Sequence, residues 1–91
     1  MRYDFKNSFK RAFKKLSHQE KLKIDAALEA LTGFLEKKTP LTHGQGFKSI
    51  GEDYWEIRAD IRIRIIFAIE RDLVTFYFVG NHYQVQQFVR N

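Results

Sequence analysis

Two arginines and a histidine are the residues of this sequence best suited to chemistry on a phosphate group. Arg62 and Arg64 are two positions apart, so they share one face of a strand, and a guanidinium can hold phosphate through two parallel hydrogen bonds. His82 has a side chain whose ordinary pKa, about 6.5, suits proton transfer at neutral pH. Together they predict a site that binds phosphate and moves a proton. The alternative for the arginines is structural pairing with Glu56 or Asp60 across a sheet.

Tyr83 and Glu56 are further candidates for the same site. Tyr83 follows His82 directly and can stack on an unpaired base or supply a hydroxyl, although ordinary packing explains a tyrosine equally well. Glu56 can act as a general base, but it alternates with Trp55 and Ile57, and this pattern predicts that it faces solvent. His82, considered alone, is more typical of a surface residue at the start of a helix.

The positive charge lies in the first half of the chain. The net charge is +5, and residues 1–48 hold eleven Lys and Arg against five Asp and Glu. Lys6, Lys10 and Lys14 recur at intervals of four, which places them on one face of a helix. Such a ridge can follow the phosphates of RNA with a strong salt dependence, and the alternative is a solvated helix face. The distribution of charge therefore predicts an anionic partner, most simply RNA.

Composition excludes several other classes of protein. The 91 residues are 44% hydrophobic, which predicts one folded domain over residues 1–91 rather than a disordered chain. There is no cysteine, so disulfides, zinc–thiolate sites and thiol nucleophiles are excluded. No apolar run reaches the roughly 20 residues needed to span a bilayer, and the N-terminus lacks the features of a signal peptide. A cytoplasmic protein is therefore expected.

The first half predicts a strand and a helical hairpin. Arg2 to Phe5 alternates like a short strand, and apolar residues recur at helical spacing from Asn7 to Leu16. Ser17 and Glu20 form a capping box that starts a second helix at His18. Pro40 requires this helix to end by Lys38.

The second half predicts a meander of strands. Residues 39–51 are rich in glycine and read as a loop or an irregular strand entry. Strands follow over Asp53–Ala59, Ile61–Ile69 and Leu73–Val79, with Ile61, Ile63 and Ile65 facing the core. A short helix begins after Asn81. The predicted fold is α+β: an N-terminal strand and a two-helix hairpin packed on a small antiparallel sheet of about four strands, with a short C-terminal helix.

Element order and three short motifs resemble a known family. The motifs are Tyr54-Trp55-Glu56-Ile57-Arg58, Ile63-Arg64-Ile65-Ile66-Phe67-Ala68 and Val79-Gly80-Asn81-His82-Tyr83. Together they resemble the RelE/ParE superfamily of bacterial toxins, and within it the YoeB and YafQ branches of RelE-type toxins. The resemblance covers nearly the whole chain. Those toxins cut messenger RNA on the ribosome. The resemblance implies a type II toxin that cleaves translated messenger RNA by 2′-hydroxyl attack, without metal or cofactor.

The resemblance also implies roles for individual residues. Arg64 matches the strand arginine of YoeB-like toxins and would stabilise charge on the scissile phosphate. His82 matches their proton-transferring histidine, with Tyr83 beside it. YoeB-like toxins carry a glutamate in the preceding loop, whereas residues 39–51 here offer only His43, a counterpart of a YafQ-type loop histidine, and Lys48. The residues expected to bind RNA are Lys6, Lys10, Lys14, Lys48, Arg58 and Arg62.

The resemblance implies two partners and leaves two alternatives. The partners are a cognate antitoxin protein and the ribosome with its messenger RNA; no membrane and no small-molecule cofactor are expected. One alternative is an inhibitor of DNA gyrase similar to the ParE branch, which lacks the nuclease residues. The other is an inactive family member that binds RNA without cutting it.

Overall fold

The computed structural model describes residues 1–37, 46–51 and 53–90, and His43 lies outside them. The elements are β1 Arg2–Phe5, α1 Asn7–Lys14, α2 His18–Lys37, β2 Phe47–Ile50, β3 Tyr54–Arg58, β4 Arg64–Glu70, β5 Leu73–Gly80 and α3 His82–Arg90. This order confirms the predicted α+β class. Among the described helices, none combines the length and the apolar character that crossing a membrane requires.

The hairpin of α1 and α2 follows the local sequence signals, except at the end of α1. The capping box is present: the Ser17 amide donates to Glu20 Oε1 at 2.8 Å, and the Glu20 amide donates to Ser17 Oγ at 3.2 Å. Helix α2 then buries Ile24, Ala27 and Leu31 against the sheet. Helix α1 ends at Lys14, two residues earlier than predicted. Both helices cover the same face of the sheet.

The sheet has five strands rather than about four, in the order β1-β5-β4-β3-β2. The additional strand is β2, which pairs antiparallel with β3 in the segment predicted to be a loop or strand entry. The N-terminal strand β1 pairs parallel with β5, so the sheet is mixed. Strands β3, β4 and β5 form the predicted antiparallel meander. The pairing of β1 with β5 joins the two ends of the chain.

The predicted start of the middle strand is wrong. Strand β4 begins at Arg64, and Ile61, expected in the core, is 80% exposed. The cause is the Asp60 side chain, whose Oδ1 accepts hydrogen bonds from the amides of Arg62 and Ile63, both at 2.7 Å. These bonds fold residues 60–63 into a tight turn, so the strand alternation starts only after it. Ile63 is buried as predicted.

The two faces of the sheet are covered differently. The face toward α1 and α2 carries a continuous apolar core that includes Ile57, Ile65, Phe67, Val74 and Phe76. On the opposite face the nine-residue α3 covers only part of the sheet, through buried Val85 and the ring of Phe88 stacked on Phe78 at 4.8 Å. The rest of that face carries both polar and aromatic side chains.

Candidate active site

The strand register gathers charged residues on the face that α3 partly covers. Lys48 of β2 lies directly opposite Glu56 of β3. One step along the same face, Arg58 of β3 lies opposite Arg64 of β4, which in turn lies opposite Gly80 at the end of β5. Residues two apart on a strand share a face, so Glu56 and Arg58 belong to the same surface. Three strands therefore bring a carboxylate and three cations together.

Glu56 and Arg64 form an ion pair within this surface. Arg64 Nε lies 3.4 Å from Glu56 Oε2, and the side chains are 15% and 9% exposed respectively. The prediction that Glu56 faces solvent is therefore wrong, because α3 and the neighbouring strands cover it. The structural alternative holds for Arg64, which does pair with Glu56. The contact uses one N–H of the guanidinium, a group with five donors, so pairing and phosphate binding are compatible.

Arg58 and Arg64 are like charges at directly opposite positions of the sheet. Cross-strand side chains of the same sign destabilise a sheet, because their Cβ atoms are only about 5 Å apart. Glu56 compensates one of the two positive charges. An anion placed between the arginines would compensate the other, so the register itself favours a phosphate at this position.

His82 is placed by a second capping box at the end of β5. The Asn81 amide donates to Gln84 Oε1 at 2.9 Å, and the Gln84 amide donates to Asn81 Oδ1 at 2.8 Å. Gly80 permits this approach, because a Cβ there would lie 2.8 Å from Gln84 Oε1 and 3.0 Å from the Phe78 ring. His82 is thus the first residue of α3, and the positive end of the helix dipole adds to the local attraction for anions.

Two cavities meet at His82. A cavity of about 250 Å³ beneath α3 is lined by Glu56, His82 and Lys48 together with Gln86 and Arg90. An open groove of about 340 Å³ on the other side of His82 is lined by Ile61, Arg62, Arg64, Asn81, His82 and Tyr83. We call this second cavity the His82 groove. Between them, the two cavities hold all four predicted catalytic residues.

Gln86 and Arg90 also line the cavity beneath α3 and were not predicted from the sequence. Both recur from His82 at intervals of four along α3, and this spacing places the three residues on one helix face. A pattern search that started from His82 would have found them. Arg62 was predicted, and it lies in the turn before β4 rather than on the strand.

The predicted lysine ridge is separate from the groove. Lys6, Lys10 and Lys14 are exposed, but they line neither cavity at His82. A cleft of about 550 Å³ between α1 and α3 is instead lined by the neighbouring cations Arg11 and Lys15, with Asn81 and Gln84 at its edge. Within residues 1–37, 46–51 and 53–90, no three His, Asp or Glu side chains lie close enough to share a metal ion.

Comparison with known proteins gives matches of fold and none of overall sequence. No protein-family model matches the chain, and no curated protein matches it significantly. A copper-bound mutant toxin from Helicobacter pylori superposes with a TM-score of 0.70 at 18% identity, covering 93% of this chain and 98% of that one. A YafQ mutant from E. coli superposes with a TM-score of 0.69 at 16% identity and the same coverage.

A third similar structure is the RelB–RelE antitoxin–toxin complex from Methanococcus jannaschii. The match has a TM-score of 0.69 at 17% identity and covers 93% of this chain and 96% of that one. At such identities the likeness concerns the fold alone, and it extends over nearly the whole of both chains. The expected fold is confirmed: this chain has the fold of the RelE and YafQ toxins.

Proposed function

We propose that this chain is the toxin of a type II toxin–antitoxin system, a ribosome-dependent endoribonuclease that cleaves translated messenger RNA. The observation that carries the proposal is the meeting of Glu56, Arg64 and His82 at adjoining cavities on the open face of the sheet. A carboxylate, a guanidinium and an imidazole supply the base, the charge stabiliser and the acid that RNA cleavage requires. The shared fold with RelE and YafQ toxins supports the same reading.

In the proposed reaction the RNA is its own nucleophile. Glu56 accepts the proton of the 2′-hydroxyl, and the 2′-oxygen forms a bond to the adjacent phosphorus. The bond from phosphorus to the 5′-oxygen breaks, and His82 donates a proton to that oxygen. The products are a 2′,3′-cyclic phosphate and a 5′-hydroxyl. Among the described residues that line the two cavities at His82, Glu56 is the only carboxylate, which is why it receives the role of base.

Arg64 is assigned to the phosphate itself. Negative charge builds on the phosphate oxygens in the pentavalent transition state, and a guanidinium already fixed by Glu56 stabilises it without having to reorganise. Arg58, opposite Arg64, and Arg62, in the same groove as Arg64, bind the flanking phosphates. Lys48 extends this positive surface across β2.

Tyr83 and the lysine ridge are assigned to binding. Tyr83 is 69% exposed at the mouth of the His82 groove, so its ring is available to stack on an unpaired base. Lys6, Lys10 and Lys14 are exposed on a different part of the surface, where they suit ribosomal RNA rather than the scissile strand.

A cognate antitoxin is the proposed protein partner. RelE is seen in complex with the antitoxin RelB, and YafQ with DinJ. We assign this chain a partner of the same kind, which would cover the His82 groove and keep the toxin inactive in the cytoplasm.

Induction of the chain in a bacterial host, followed by primer extension on a reporter messenger RNA, tests the proposal. The wild type should arrest growth and generate new 5′ ends within translated codons. Arg64→Ala should remove both effects, whereas the matched control Arg2→Ala should retain them. Arg2 pairs with Asp72 at the opposite end of β5, so the control removes an arginine outside the groove.

Arrest without new RNA ends would contradict the proposal. If DNA were broken while transcripts stayed intact, the chain would instead be an inhibitor of DNA gyrase. Absence of both arrest and cleavage would leave an RNA-binding module without nuclease activity.

A further inference from the structure

Ile61 has an unusual position for a large apolar residue. It is 80% exposed and Tyr83 is 69% exposed, more than any other large hydrophobic residue of the described ranges. Both line the His82 groove, together with Arg62 and Arg64. Two strongly exposed apolar side chains that line one groove together with two arginines mark a binding surface rather than chance exposure.

The turn that presents Ile61 is held firmly. Besides the bonds from Asp60 Oδ1 to the Arg62 and Ile63 amides, the Ala59 amide donates to the Ile63 carbonyl at 2.8 Å. Lys23 of α2 donates to Asp60 Oδ2 at 3.0 Å, which ties the turn to the helical layer. Burial alone would raise the pKa of Asp60, but the hydrogen bonds from Lys23 and the two amides outweigh it and lower the pKa. The turn therefore fixes Ile61 outward.

The surroundings of Ile61 define the ligand. A group that contacts both Ile61 and the Tyr83 ring must be apolar on its faces, and the neighbouring arginines require an anion attached to it. A nucleotide has this combination, with a flat base and a phosphate one sugar away. The base must be unpaired, because a base inside a duplex is stacked on both faces and cannot enter.

We propose that Ile61 and Tyr83 form the two sides of a clamp that binds one unpaired base of single-stranded RNA, next to the phosphate held by Arg64. The inference rests on the proposed function and adds to it a binding residue, Ile61. The Asp60 turn is the device that positions it. The clamp belongs to the free chain, so it requires no ribosome to form.

The test uses the full-length wild-type chain and five-nucleotide RNAs that cannot be cut, because every 2′-hydroxyl is methylated. One RNA is complete and the other lacks its central base. Affinities are measured by fluorescence anisotropy over a range of salt concentrations. The wild type should bind the complete RNA about tenfold more tightly than the abasic one. Ile61→Ala should weaken binding of the complete RNA about fivefold and reduce the penalty for removing the base.

Two control variants separate the clamp from other effects. Leu22→Ala removes another exposed apolar side chain, 54% exposed on α2 and outside the groove, and should leave both affinities unchanged. Arg62→Ala should lower the slope of log affinity against log salt concentration by about 1, the amount for one lost phosphate contact. It should retain the penalty for removing the base. Thermal unfolding of each variant shows that the fold is intact.

Equal binding of the two RNAs by the wild type, no binding of either, or an unchanged base penalty in Ile61→Ala would overturn the clamp. These results are distinct from failure of the proposed function. If the clamp fails while messenger RNA is still cut in an Arg64-dependent way, only the clamp is wrong. If messenger RNA is not cut in cells and neither RNA binds, the nuclease and the clamp are both overturned.

Discussion

The two faces of the sheet are built from the same strands and have opposite character. Neighbouring residues show this directly: Ile57 is fully buried in the main core and Glu56 faces α3, and likewise Ile65 and Arg64. The helical hairpin seals one face, so that face contributes stability through apolar burial. The short α3 leaves part of the other face open, so charged groups there keep access to a ligand. In this fold, the extent of helical cover separates the stabilising face from the face proposed to bind RNA.

Substitutions at the neighbouring residues Ile65 and Arg64, which lie on opposite faces, should differ most in their effect on the free energy of unfolding. Ile65→Ala should lower the free energy of unfolding by about 2–5 kcal/mol, because it opens a cavity in the sealed core. Arg64→Ala should lower it by less, at most about 3 kcal/mol, because the buried Glu56 loses its ion-pair partner but keeps Lys48 directly opposite on β2. Urea denaturation monitored by circular dichroism gives both values. A larger loss for Arg64→Ala than for Ile65→Ala would contradict the assignment of the faces.

Replacing the carboxylate tests whether the open face carries chemistry. Glu56→Gln keeps the shape of the side chain but removes the proposed base, so the rate of RNA cleavage should fall at least about 100-fold. Glu70→Gln, at the exposed far end of the same sheet, is the control and should cleave at the wild-type rate. Single-turnover cleavage on programmed ribosomes measures both. Wild-type cleavage by Glu56→Gln would remove Glu56 from the site and leave it only a structural role.

The two capping boxes allow the cleavage rates of two variants with the same expected loss of stability to be compared. Ser17→Ala and Asn81→Ala should each lower the free energy of unfolding by about 1 kcal/mol, because each removes one N-cap acceptor. Only Asn81→Ala should also slow RNA cleavage, because only that cap sets the position of His82. Thermal unfolding and the cleavage assay are run on both proteins. Equal cleavage rates in the two variants would show that the placement of His82 does not depend on its cap.

The smallest expected effect concerns the ion pair beneath the Ile61 turn. The pKa of Asp60 is lowered in the folded chain, so its contribution to stability is complete above about pH 5 and is lost as the pH falls through the unfolded value near 3.9 and below. Asp60→Asn keeps an oxygen for the two amides and loses the Lys23 pair. It should cost under about 1 kcal/mol at pH 7, and this difference should shrink toward pH 3. A difference that grows on acidification would contradict the assigned interaction.

Local signals explain what could be predicted from the sequence. The Ser17–Glu20 and Asn81–Gln84 boxes each lie within four residues, so the starts of α2 and α3 were predictable. Ile61 was misplaced because strand alternation was extended through a turn that the Asp60 side chain closes. Strand β2 was difficult to predict because glycines flank it on both sides, at Gly46 and Gly51.

The residue types of the candidate site could be proposed from the sequence, whereas their contacts could not. Arg64 and His82 followed from chemistry and spacing, together with the family resemblance. The pairing of Glu56 with Arg64 depends on the register of two strands, and the burial of Glu56 depends on α3 folding back over the sheet. Both are tertiary effects, and strand alternation by itself favoured an exposed Glu56.

The chemistry of the cut ends is the most direct test of the central claim. The purified chain is mixed with ribosomes translating a defined messenger RNA, and the new 5′ ends are labelled with polynucleotide kinase with and without prior phosphatase treatment. We expect 5′-hydroxyl ends that label without phosphatase, and about 100-fold to 1,000-fold slower appearance of those ends with Arg64→Ala. Ends that carry a 5′-phosphate, or a rate unaffected by Arg64→Ala, would contradict the central claim.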